Sequence, residues 1–64
     1  MTWNKDNLYD KHGNKIGAAF KSGACYSSVV LVRGQIHYIA KAVTWDLAKD
    51  EVEEWWREVQ EVDL

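Results

Sequence analysis

The sequence predicts an α+β domain in which a three- to four-stranded antiparallel sheet, built from two hairpins, carries one C-terminal amphipathic helix on one face. Three observations predict it. Apolar residues recur with period two between Ile16 and Val43. Tight-turn signatures precede that pattern around Gly13 and interrupt it at Arg33-Gly34. From Trp45 onward the apolar spacing lengthens to that of a helix.

The first hairpin is expected across Leu8-Tyr9-Asp10-Lys11-His12-Gly13-Asn14-Lys15-Ile16. An aspartate side chain can accept hydrogen bonds from the backbone of its own turn, and Gly13 supplies the positive φ that a short reversal needs. Ile16, Ala18 and Phe20 then alternate with Lys15, Gly17, Ala19 and Lys21, which reads as a half-buried strand. Lys21-Ser22-Gly23-Ala24 is the next turn.

Cys25 to Val32 resumes the alternation with β-branched residues, and Arg33-Gly34 turns it into Gln35–Val43. With a two-residue loop, Val32 opposes Gln35, Val30 opposes His37, Ser28 opposes Ile39 and Tyr26 opposes Lys41. Cys25, Ser27, Val29, Leu31, Ile36, Tyr38, Ala40 and Ala42 share one face, small enough on average to receive a helix, and this face is assigned to the core. Tyr26, Ser28, Val30, Val32, Gln35, His37, Ile39, Lys41 and Val43 are left outside.

Ala48, Val52, Trp55, Val59 and Val62 follow one another at intervals of three and four, which places them in one stripe of a helix, and Trp56 widens the stripe. Thr44 is the expected N-cap, with Asp50 as an alternative start. The carboxylates fall mostly opposite the stripe. The chain thus divides into an N-terminal arm over residues 1–7, hairpins over 8–43 and a helix over 44–62, all within one domain spanning residues 1–64.

A chain of 64 residues buries only about 60% of the surface its unfolded form exposes, so its stability is expected to be modest. Cys25 is the one cysteine and has no partner for an internal disulfide, which fits a reducing compartment. The polar start Met1-Thr2-Trp3-Asn4-Lys5-Asp6 lacks the apolar core of an export signal, and no apolar run approaches the roughly 20 residues a membrane span requires. The expectation is a cytoplasmic protein with no membrane partner.

Chemistry finds little to work with. Cys25 and His37 fall on opposite faces of one hairpin, His12 sits in a turn, and no pair among them has the spacing of a zinc site. The four glycines do not cluster into a phosphate-binding loop. No enzyme activity, no cofactor and no metal are expected.

Charge is divided unevenly. Residues 1–43 hold six cations against two carboxylates, whereas residues 44–64 hold two cations against eight. The expected function is that of a small accessory or inhibitor protein that binds a larger protein, by analogy with the modulators that phages and mobile elements encode. Two surfaces are candidates. One is the outer sheet face and edge, with Tyr26, Val30, Val32, Arg33, His37, Ile39 and Lys41. The other is the helix, where Glu51, Glu54 and Glu58 beside Trp56 suit a partner with a basic groove. An uncovered apolar face or edge also suits a homodimer. Single-stranded nucleic-acid binding by Tyr26, Arg33, His37 and Lys41 ranks second.

Overall fold

The computed structural model describes residues 1–63, with the side chains of residues 1–59. Five strands, β1 (Thr2–Asn4), β2 (Asn7–Tyr9), β3 (Lys15–Ser22), β4 (Cys25–Val32) and β5 (Gln35–Ala42), precede one helix, α1 (Trp45–Asp63). The strands form a single antiparallel sheet in sequence order, β1-β2-β3-β4-β5. The α+β architecture is as expected, but the strand number is five rather than three or four. The difference lies in residues 1–7, expected as an arm. Trp3 pairs with Leu8 and Asn4 with Asn7 around a turn at Lys5-Asp6, in which Lys5 takes φ 56°.

Each turn is made as its residues require. Asp10 accepts backbone N–H groups of His12 (2.8 Å) and Asn14 (2.9 Å) on Oδ1, while its carbonyl accepts from Gly13, which takes φ 84°. These bonds favour the ionised side chain, so the Asp10 carboxyl lies below its ordinary range, with the Asn14 N–H the largest cause. Gly23, φ 67°, takes the first of the two loop positions between β3 and β4. Arg33 and Gly34, φ 54° and 80°, both adopt the left-handed conformation of a type I′ turn.

Val32 pairs with Gln35 and Val30 with His37, as the two-residue loop demands. Beyond Val29 the register shifts, because Ile39 is left unpaired in a bulge. Ser28 therefore opposes Ala40 and Tyr26 opposes Ala42, instead of the expected Ile39 and Lys41. A second irregularity at Leu8/Tyr9 leaves Ile16 unpaired between Lys15 and Gly17.

The face assignment is reversed for β4 and for β5 up to the bulge, whereas beyond it Ala40 and Ala42 lie on the helix side, opposite Ser28 and Tyr26, as expected. The helix covers the side of β4 that carries Ser28 and Val30, and the expected core residues Ile36 and Tyr38 are exposed on the other side. The reason is depth. Gly17 and Ala19 on β3, with Ser28 on β4, form a floor low enough for Ala48 and Val52 to settle into, all but Gly17 being fully inaccessible to solvent. A Cβ on Gly17 would stand 2.6 Å from Val52 Cγ1 and 3.2 Å from the Val29 carbonyl oxygen. Leu8, Val30 and Val52 make the centre of the core, with Trp3, Ile16, Val32, Ile39, Trp55 and Trp56 packed around it. The two bulges matter here, since Ile16 and Ile39 reach this side of the sheet only because each interrupts the alternation.

α1 begins where expected. The Thr44 hydroxyl accepts the Leu47 N–H at 3.2 Å, and its carbonyl accepts the first helical bond from Ala48. Three side chains then fasten the helix to the sheet. Ser28 Oγ donates to the Ala48 carbonyl (2.7 Å), Trp45 Nε1 to the Ala19 carbonyl (3.0 Å) and Trp56 Nε1 to the Ile16 carbonyl (2.8 Å). Lys49 adds a fourth contact, its ammonium 3.9 Å from the Trp45 ring centre and 5.6 Å from that of Trp3. The expected stripe position Val62 lies outside the described side chains.

Candidate docking surfaces

The sheet face away from the helix has no cover among the described residues. By register it carries Asn7, Ala18, Phe20, Ser27, Val29, Leu31, Ile36, Tyr38 and Lys41. Ala18 and Val29 are closed over by their neighbours, whereas Ile36 is 62% and Tyr38 72% exposed. Together with Phe20 and Leu31 these two rings and branches border a depression of about 280 Å³, which Asp6 and Lys15 close at the β2 side. The arrangement is an apolar strip with one carboxylate and one ammonium at its rim. Water ordered over such a strip is released when another apolar surface covers it.

A second concavity lies between α1 and β5. Glu51, Glu54 and Glu58, spaced three and four residues apart, line about 130 Å³ with Trp55 and Ile39. The structure thus brings together the three expected carboxylates with Ile39, but adds Trp55 where Trp56 was expected. Trp56 is half-buried and committed to the Ile16 carbonyl. The two indoles meet edge to face, 4.9 Å between centres, so neither is a free ring.

The other expected sheet residues are dispersed. Val30 is fully buried beneath the helix and Val32 is half-buried beside it, so neither lies on an outer face. His37 is exposed but opposes Val30, on the helix side of the edge strand. Lys41, opposite Ser27, projects from the open side. Arg33 occupies the turn at one end of the hairpin and Tyr26 the other end, where it shares a shallow surface with Lys5, Lys21 and Trp45. The four residues expected to hold a nucleic acid therefore do not share one surface. Cys25 is a half-buried free thiol on the open side, across the sheet from His37.

Sequence reasoning missed Phe20, Leu31, Ile36 and Tyr38 as surface residues. A signal was present in β3, where Gly17 and Ala19 alternate with Ala18 and Phe20. The side with the smaller residues is the one a helix backbone can approach.

Fold and surface together define a small antiparallel meander backed by one helix, with its opposite face uncovered among the described residues. Compared with known proteins, the chain matches no family model, no curated protein and no solved structure. No described helix is long and apolar enough to cross a membrane.

Proposed function

We propose that the chain is a non-enzymatic protein-binding module that docks on a larger protein through the open face of its sheet, as an accessory or inhibitor protein. The observation that supports this reading is the apolar strip in which Ile36 and Tyr38 are exposed beside half-buried Phe20 and Leu31. A solvated sheet face ordinarily carries polar side chains at such positions, and a tyrosine flanked by aliphatic residues is a typical anchor of an interface. The acidic groove at Glu51, Glu54 and Glu58 suits a basic neighbouring region of the same partner. The lone cysteine fits a reducing compartment, and cytoplasmic is the localisation this reading takes. The analogy with phage-type modulators concerns size and lack of catalytic groups alone.

A photo-reactive amino acid at position 38 tests it, with the same probe at Arg57 on the exposed helix as the reference. The expected result is an adduct with a second protein formed from position 38 alone, suppressed by excess wild-type chain but not by Ile36→Asp chain. Equal labelling from both positions, or none, overturns the reading.

A specific cluster favours a second reading, single-stranded nucleic-acid binding. Tyr26 and Trp45 stand with Lys5 and Lys21 at the N-terminal end of α1, beside one carboxylate, Asp6, and the rings with the two cations suit bases and phosphates. It requires oligonucleotide binding that weakens steeply with salt and is lost in Lys21→Glu. Fluorescence anisotropy without a change at low salt excludes it.

A further inference from the structure

The two edges of the sheet are unlike. β1 is three residues long, which leaves little to pair with. β5 is eight residues long, and Gln35, Ile36, His37 and Tyr38 are all exposed. Between Gln35 and Ala40 it has no charged residue and no proline, so its outer backbone groups lack the usual protection until the bulge at Ile39.

The phase of those backbone groups follows from the turn. Val32 and Gln35 close a two-residue loop and are the hydrogen-bonded pair there. In an antiparallel ladder such pairs alternate, so His37 also bonds inward to Val30. The N–H and C=O of Ile36 and Tyr38 therefore point to the free edge.

We propose that a second copy of this chain pairs with β5 antiparallel about a twofold axis at His37. Ile36 of each copy then opposes Tyr38 of the other as hydrogen-bonded pairs, giving about four intermolecular backbone bonds, and the two His37 residues form the unbonded pair between them. Each Ile–Tyr pair is a favourable branched–aromatic match on the open side. The register also sets Arg33 of one copy across from Lys41 of the other, a like-charge contact whose repulsion is offset by the adjacent groove that carries Glu51 and Glu54. Arg33 holds φ 54°, a conformation that glycine or asparagine adopts at less cost, so folding alone gives no reason for arginine there. Because the other edge is short, pairing stops at two copies and does not run on into a fibre. The seam is shorter than a standard interface, so the dimer is concentration-dependent.

Sedimentation from low micromolar to millimolar concentration should show a monomer–dimer equilibrium. In a Cys25→Ser background, His37→Cys should give a disulfide-linked dimer on mild oxidation, since unbonded antiparallel pairs lie within disulfide reach, and Gln35→Cys should not. Ile36→Lys should abolish dimerisation, and adding Tyr38→Glu should restore it, because each lysine then opposes a glutamate. Arg33→Asn should weaken the dimer while raising the stability of the monomer. A monomer at every concentration overturns the proposal, as does a dimer that the Ile36→Lys, Tyr38→Glu pair fails to restore. A dimer lost in Phe20→Glu but unaffected at position 36 would mean face-to-face contact instead. Docking of a larger protein on the open face is read separately, by the mass of the adduct formed at position 38: twice the mass of the chain reports the dimer alone, and any other mass reports a different protein on that face.

Discussion

Gly17 is the residue on which the packing of this chain turns. Any side chain there meets Val52 Cγ1 and the Val29 carbonyl, so Gly17→Ala forces the helix away from the sheet or distorts β4. Overpacking of this kind costs about 1–3 kcal/mol. In a domain this small each kcal/mol moves the melting temperature by about 4–8 °C, which makes thermal unfolding a sensitive measure. Asp10 gives a second expectation at this scale. Its carboxyl is depressed in the folded state by N–H groups that the unfolded chain does not present. The stabilisation is therefore fully present above the ordinary aspartate value, roughly pH 4, and is lost as pH falls through the lower folded value. Asp10→Asn should flatten the acid limb of the urea midpoint against pH and leave its slope unchanged near neutrality.

Tryptophan does different work at different positions of one element. Trp45 and Trp56 donate to carbonyls of β3, at its middle (Ala19) and near its start (Ile16), while the Trp55 ring lies against Ile39 at the rim of the acidic groove. Replacing Trp56 with Phe leaves the Ile16 carbonyl, already unpaired in its bulge, without its donor, at a cost of about 1–3 kcal/mol. Trp55→Phe keeps an aromatic ring in place and should cost less. Urea titration of the two variants gives the comparison, and an equal loss would remove the distinction. The elements themselves were mostly legible in the sequence. Turn chemistry at Asp10–Asn14 and Arg33-Gly34 is local, and so are the Thr44 cap and the helical period. β1 was not legible, because three residues show no period and Lys5-Asp6 lacks the glycine or asparagine that marks a tight turn. The choice of sheet face was not legible from β4 and β5 by themselves. It depends on Gly17 and Ala19 of the neighbouring strand, and on bulges at Ile16 and Ile39 that single residues do not announce. With the face reversed, Val30 and Val32 passed from the candidate site into the core, and Ile36 and Tyr38 passed the other way.

Across the whole molecule, one helix serves one side of the sheet and nothing described serves the other. The fully buried centre amounts to Leu8, Val30 and Val52 with the small residues around them. Val52→Ala opens a cavity at the point where helix and floor meet, and about 2 kcal/mol of lost stability is the expected result, read from the urea midpoint. Polar replacement on the open side should behave in the opposite way. Tyr38→Thr removes exposed apolar surface without opening the core, so stability should change by less than about 0.5 kcal/mol while any docking through that side is lost.

The strand order carries a consequence for time as well as for shape. Because β1 to β5 are neighbours in space in the order in which they are neighbours in sequence, every strand pairing closes only a short stretch of chain. Hairpins can zip up one after another with little entropy lost at each step, and α1, whose bonds to β3 and β4 span 20 to 40 residues, is the natural last arrival. Variants at the seam of helix and sheet, Val52→Ala first among them, should then speed unfolding and leave the refolding rate nearly unchanged in stopped-flow measurements.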